Sequence, residues 1–247
     1  MALMVESDAN VEEVPLAQGW RDFADVLAAG IDRVILYGPP GTGKTFAALH
    51  FATLGGAAER LICTEDLTTA DVTGTWMPAG HDRWEWLEGP AVRAWRRGGR
   101  LVVDEVDRAA GDVLSLLLAM TDTDGSAQWQ HPHTGEIVRP AENFTVVMTT
   151  NIERLEELPA ALRDRFPVAI RIDRPHPASV RRLSADLRRP ALSGTLGEED
   201  RRVSLRTFYA FDQLRERHGA ERAAHLLFGE TRAQAFLDAL VIGALER

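Results

Sequence analysis

Gly38-Pro39-Pro40-Gly41-Thr42-Gly43-Lys44-Thr45 fits G-x-x-x-x-G-K-[ST] at every fixed position. That spacing describes a glycine-rich loop whose backbone N–H groups cradle phosphates while the lysine reaches the β- and γ-oxygens. Lys44 is the only lysine in a chain with 28 Lys+Arg. Arginine serves wherever a generic positive charge is wanted, but a wide planar guanidinium does not fit where a compact ammonium must sit between phosphate oxygens. The flanks agree with the motif. Arg33-Val34-Ile35-Leu36-Tyr37 reads as a buried strand, and Thr45 to Ala52 reads as a helix. The expected nucleotide contacts are Gly38, Pro39, Pro40, Gly41, Thr42, Gly43, Lys44 and Thr45, with Phe46 following them.

Four later segments supply what a phosphate loop needs. Arg100-Leu101-Val102-Val103-Asp104-Glu105 is an apolar strand ending in two acids. Asp104 is expected to hold Mg²⁺ through water together with the Thr45 hydroxyl. Glu105 is expected to polarise the attacking water as general base. Alone, the pair would pass for a solvated acidic turn; the loop upstream decides the reading. Asn143 to Asn151 is a second buried strand with a polar end. Parallel sheets gather the C-terminal ends of their strands at the ligand edge, so Asn151, in preference to Thr150, is expected at the γ-phosphate. Leu158-Pro159-Ala160-Ala161-Leu162-Arg163-Asp164-Arg165-Phe166 places two arginines before a strand at Val168–Ile172. Arg165 first and Arg163 second are candidates for an arginine finger reaching a neighbouring subunit's nucleotide. Ser204 is a candidate N-cap for a helix carrying Arg206, which either faces the nucleotide or is a solvated surface arginine.

These motifs and their order resemble the AAA+ ATPases over nearly the whole chain. GPPGTGKT corresponds to Walker A, LVVDEVDRA to Walker B, VVMTTN to sensor 1 and LRDRF to the arginine-finger box. The resemblance implies an α/β fold with a parallel five-stranded sheet flanked by helices and a small C-terminal all-α lid. Residues 1–174 would be the nucleotide-binding core and residues 175–247 the lid, with Arg206 matching the sensor 2 arginine. It also implies ATP and Mg²⁺ as cofactors and a homo-hexameric ring, each site completed by the next subunit. The closer resemblance is to the MoxR and dynein-related branch, which includes the CbbQ-like and GvpN-like proteins. Two insertions carry it, Asp71 to Trp95 and Gln128 to Pro140. In that branch they are hairpins that engage a target, and von Willebrand factor A domain proteins are typical partners.

Trp76, Trp84, Trp86 and Trp129 fall in these polar, turn-rich insertions. They read either as a partner surface or as each packing its own hairpin on the sheet. His131 and His133 lack the further ligands that zinc needs. The insertions are acidic or neutral, with Asp82, Glu85 and Glu88 against Arg83. Charge disfavours nucleic acid more broadly. Residues 175–247 hold 12 arginines and 10 acids, and residues 1–174 hold 16 basic and 27 acidic residues. Neither half is the cationic footprint of a nucleic-acid binder, so an ATPase that remodels a protein complex is expected over a McrB-like motor on nucleic acid.

The apolar content, 45%, is ample for a core. No run approaches the ~20 residues that span a bilayer. Cys63 is alone and the first residues are acidic with no apolar stretch, which fits the cytoplasm. Along the chain, Trp20–Leu27 reads as amphipathic and Arg174-Pro175-His176-Pro177 as a stiff linker. Val180–Leu187, Leu205–Arg217 and Thr231–Leu245 read as helices, with a loop over Ala191–Asp200.

Overall fold

A computed structural model describes residues 16–51, 58–122, 125–194 and 203–245. The acidic start of the chain, the end of the helix expected through Ala52, and most of the loop expected before Asp200 lie outside them.

Five strands form one parallel sheet in the order β2-β5-β8-β1-β9: β1 (Arg33–Tyr37), β2 (Glu59–Ile62), β5 (Gly99–Asp104), β8 (Phe144–Thr149) and β9 (Val168–Arg171). The α/β fold with a parallel five-stranded sheet is therefore present. The three central strands are apolar on both faces, as a sheet covered on both sides requires. Alternate residues go to opposite sides. Ile35, Leu101, Val103, Val146 and Met148 join one cluster with Trp95, Leu117 and Phe166. Val34, Leu36, Val102 and Val147 join another with Trp20, Phe23, Leu27, Ala47 and Ala48.

Helix α1 (Gln18–Ala28) covers the second face. Trp20, Phe23 and Leu27 are buried at helical spacing, as the amphipathic pattern predicts, and the Trp20 indole donates to the Arg174 carbonyl at 2.9 Å. Helix α2 (Lys44–His50) follows the glycine loop on the same face. On the other face lie α3 (Thr69–Thr73), α4 (Pro90–Arg97), α5 (Gly111–Met120) and α6 (Ala160–Arg165).

Two antiparallel hairpins stand apart from the sheet. One pairs β3 (Gly74–Pro78) with β4 (Trp84–Glu88), and the other pairs β6 (Trp129–Gln130) with β7 (Ile137–Val138). Gly135 has φ +71, the left-handed backbone expected of the tip at Thr134-Gly135.

The C-terminal helices have their own core of Val180, Leu183, Leu187, Ala191, Leu205, Phe208, Phe211, Ala223, Ala224, Ala233 and Phe236. They differ from the sequence reading in three places, the last being that the helix expected over Thr231–Leu245 begins already at Ala220. The helix expected over Val180–Leu187 is two helices, α7 (Pro177–Val180) and α8 (Ala185–Gly194). The expected loop after Pro190 is partly helix, because α8 continues through Pro190 and seats Leu187 and Ala191 in the core at a spacing of four. Helix α9 (Leu205–His218) begins as expected: Ser204 accepts from the Thr207 amide at 3.2 Å. Helix α10 (Ala220–Leu245) is broken at Gly229, whose φ is +69.

Candidate functional site

The loop between β1 and α2 turns at Gly38, Gly41 and Gly43, with φ of +120, +78 and +99. Such angles are costly for any residue with a Cβ. A Cβ on Gly41 would also come within 2.7 Å of Ser204 Cβ, so the start of α9 abuts the loop. At Gly43 the Cβ direction opens on space with no atom within 4 Å. The loop therefore has the conformation and the open face that a phosphate needs.

Lys44 is 5% exposed. Its ammonium donates to the carbonyls of Gly38 (2.8 Å) and Pro39 (2.7 Å) and to Asn151 Oδ1 (3.1 Å). Burial lowers its pKa from 10.5 to about 8, against the pull of Asp104, Glu153 and Asp107, and the nearby Arg206 charge lowers it further. Two predicted positions from different elements thus meet, the loop lysine and Asn151 at the polar end of β8; Arg206 is exposed, two residues beyond Ser204, which abuts the loop.

Thr45 donates to Asp104 Oδ1 at 2.8 Å. Asp104 is 5% exposed and also accepts from the Thr149 hydroxyl and the Arg60 guanidinium. Burial alone would push this carboxyl up, but Thr149, Arg60 and Thr45 outweigh it and hold it below the ordinary range. A hydroxyl and an ionised carboxylate side by side are the hard oxygen donors that Mg²⁺ prefers, so the residues fit that ion.

Glu105 follows in the left-handed region, φ +57 and ψ +47. A non-glycine there is a strained position of the kind that gathers at functional sites. Its amide points to Thr149 Oγ1 at 3.4 Å, and its carboxylate pairs with Arg108 at 3.2 Å. Thr150, the neighbour set second to Asn151, is 1% exposed and donates to Asp107 at 2.6 Å. Asn151 is the one that reaches Lys44.

Arg165 lies elsewhere. It precedes β9, whose first residue, Val168, pairs with Val34 near the start of β1, whereas the loop leaves the far end of β1. It therefore occupies the opposite sheet edge from its own phosphate loop. There it contacts the Ala161 carbonyl (3.3 Å) and Asp122 (3.6 Å) and lines a pocket with Arg33, Thr121 and Asp164. Arg163, on the same helix, is exposed.

The tryptophans resolve a choice the sequence left open. Trp86 stacks with Trp129 at 6.3 Å and meets His131 at 4.9 Å; Trp76 meets Trp86 at 5.7 Å and His133 at 4.8 Å. These rings join one hairpin to the other, and Trp129 and Val138 also pack the second hairpin on the core beneath the sheet. Arg96 clamps the same joint, pairing with Glu88 at 2.5 Å and Glu136 at 2.8 Å. Trp84, 61% exposed, stands free of that joint with Met77 and Leu87. His131 Nδ1 accepts from the amides of His133 and Thr134.

Sequence reasoning missed Arg60, Thr149 and Arg108, the groups that fix the two acids. The sequence carries no local signal for Arg60; it is the folded register, in which Ile62 pairs with Asp104, that puts Arg60, two residues earlier, on the pleat face of that acid. Cys63 is buried, and burial together with Asp104, Asp107 and Glu105 pushes its thiol up to about 12. Among the described residues no helix is long and apolar enough to cross a membrane.

Comparison with known proteins places the chain in a family. The denitrification regulatory protein NirQ of Stutzerimonas stutzeri is 32% identical over 157 residues, 62% of this chain and 56% of that protein. An uncharacterized Staphylococcus epidermidis protein is 29% identical over 147 residues, 57% of this chain and 55% of its own length. The chain thus spans about half the length of the curated relatives it matches. A crystal structure from Cytophaga hutchinsonii overlays with a TM-score of 0.48 at 21% identity, covering 90% of this chain and 73% of that one, a likeness too low to speak for function. The profile of the AAA domain, dynein-related subfamily, matches residues 33–166, from the first residue of β1 to the residue after α6. The chain belongs to that family of AAA domains.

Proposed function

We propose that this chain is a Mg²⁺-dependent ATPase of the MoxR-like branch that works as a ring, a homo-hexamer, to remodel or activate a protein complex. The observation that carries the reading is the convergence of Lys44, Asn151, Thr45 and Asp104 at one sheet edge, beside a loop whose glycines hold an open phosphate-shaped turn.

The roles follow from chemistry. The loop from Gly38 to Thr45, with the Phe46 amide, holds the phosphates, and Lys44 turns from its carbonyl partners to phosphate oxygens. Thr45 and Asp104 hold Mg²⁺. When bound, the ion would neutralise charge that builds on the β- and γ-oxygens. Glu105 takes the proton of the attacking water, and Asn151 orients that water or the γ-phosphate. Arg206 approaches from the C-terminal helices. Residues 1–174 act as the nucleotide-binding core and residues 175–247 as the lid. Arg165, with Arg163 second, serves a neighbouring subunit, because it is separated from its own loop by the length of β1.

The client is a protein, and the resemblance points to a von Willebrand factor A domain partner in the cytoplasm. The NirQ relative, matched over about half of its length, is itself named a regulatory protein, which is in keeping with action on another protein. Trp84, Met77 and Leu87 are the most exposed large apolar side chains on the first hairpin, ahead of Trp76. Its Glu88, and Glu136 of the second hairpin, already neutralise Arg96, which leaves this region without a cationic track for nucleic acid.

Mixed rings test the assembly. Arg165→Ala should bind ATP but hydrolyse it at least about 10³-fold more slowly, the scale of an arginine finger. Lys44→Ala should fail to bind. Mixing the two should restore a fraction of activity, from interfaces where an intact loop meets an intact Arg165. Wild-type turnover by a strictly monomeric protein would defeat the ring proposal.

A further inference from the structure

Asp104 is contested. One oxygen accepts from Thr45 and Thr149, and the other is taken by the Arg60 guanidinium. Asp104 cannot move far, being 5% exposed on the fully buried strand β5 and held by Thr149 from β8. Arg60 is differently placed. It sits on β2, the edge strand of the sheet, and its side chain is 42% exposed. Its long stem can carry the head group into water without disturbing the core.

A guanidinium cannot shed its charge. A divalent cation drawn to the Thr45 hydroxyl and the Asp104 carboxylate would meet that fixed positive charge across a single carboxyl group. The two cations make opposing claims on one anion, and the exposed one is free to yield. Glu105, the neighbouring acid, has its own arginine in Arg108, so neither acid stands as a bare anion at this edge.

We infer that Arg60 is a positioning residue that competes with the divalent cation for Asp104, so that metal capture and release of Arg60 are one coupled event. This rests on the proposed reading of Thr45 and Asp104 as the metal-holding pair. The consequence is selectivity. Metal alone has to displace Arg60 unaided, whereas metal arriving with a polyphosphate brings negative charge that gives Arg60 a second place to go. Arg60 thereby lowers the affinity of the empty-handed cation and ties metal binding to nucleotide binding.

The test uses the full chain with Mn²⁺ as an EPR-visible probe and ADP as the nucleotide. The readout is the Mn²⁺ half-saturation with and without ADP, beside ADP affinity in EDTA. Removing a half-exposed ion pair should tighten Mn²⁺ binding without nucleotide by about threefold to fivefold in Arg60→Ala and Arg60→Gln. Arg60→Lys, which keeps the charge, should stay near wild type. The ratio between the Mn²⁺ affinities with and without ADP should shrink accordingly. Arg60→Gln keeps most of the stem, so a folding defect in Arg60→Ala would not remove the test. Unchanged or weaker Mn²⁺ binding in Arg60→Gln would overturn the inference while leaving the metal pair intact. Wild-type ADP binding that ignores Mn²⁺, and an Asp104→Asn variant that binds Mn²⁺ like wild type, would instead overturn the metal pair itself.

Discussion

Replacing Lys44 by methionine separates a structural lysine from a ligand-binding one. The side chain keeps its length and loses its charge. Holding the ammonium charged at neutral pH costs about 3 kcal/mol, from the fall of its pKa from 10.5 to about 8. Lys44→Met removes that cost. It also removes three hydrogen bonds, to Gly38, Pro39 and Asn151, each worth about 0.5–1.5 kcal/mol net once its acceptor is rehydrated. The acceptors they leave border an open loop and can turn to water. The two effects oppose each other, so unliganded stability should stay within about 2 kcal/mol of wild type. For a chain of this size that is a Tm change of roughly 4–8 °C at most. ATP should behave otherwise. At a hundredfold excess over Kd it stabilises wild type by about 2.7 kcal/mol, roughly 5–10 °C, and it should leave Lys44→Met unmoved. Thermal denaturation with and without Mg·ATP reads both quantities. A variant that gains as much as wild type would refute the phosphate role of Lys44. A variant that collapses without ligand would show the ammonium to be a core group, and its loss of binding would then prove nothing about phosphate.

Two further outcomes follow from the geometry. Trp86→Ala should destabilise by about 2–3 kcal/mol in urea denaturation, because it opens the joint between the hairpins, whereas exposed Trp84→Ala should change stability by less than about 0.5 kcal/mol and leave ATPase intact while weakening action on a client; the reverse order would sink the division between joint and contact surface. Lys44 also sets a pH dependence: its charge is complete below about pH 8, so nucleotide affinity should fall as pH rises through that value, with proton uptake on binding seen by calorimetry in two buffers. The unfolded lysine keeps its proton to 10.5, so the unliganded protein should gain stability between pH 8 and 10.5, and a flat profile in wild type would contradict the burial of the ammonium.

The meeting of Lys44, Thr45, Asp104 and Asn151 at one sheet edge was legible in the sequence because its signals are local. Glycines at fixed offsets, one lysine, and apolar runs ending in Asp104-Glu105 or Thr150-Asn151 each announce themselves within nine residues. Arg60 was not legible, because β2 has four residues, too few to display a period, and its partner lies 44 positions away. The joint between hairpins was equally hidden: Trp86 and Trp129 are distant in sequence, and only the folded register of β3 with β4 turns Trp76 and Trp86 to one face. In the C-terminal helices Pro190 reads as a stop, yet α8 passes through it, since burying Leu187 and Ala191 outweighs one lost hydrogen bond. Local chemistry spelled out the motif, and long-range packing chose its neighbours.

The measurement that bears most directly on the account is phosphate release from ATP by the purified chain, wild type beside Glu105→Gln, with nucleotide binding followed in parallel. Glu105 follows the buried strand β5 directly, in a left-handed backbone next to Asp104. The amide keeps the shape and removes the base. The account predicts Mg²⁺-dependent turnover by wild type, and in Glu105→Gln unchanged ATP binding with a rate lower by about 10²–10⁴. Turnover by Glu105→Gln at the wild-type rate, or tight ATP binding by wild type with no phosphate release at any protein concentration, would contradict it.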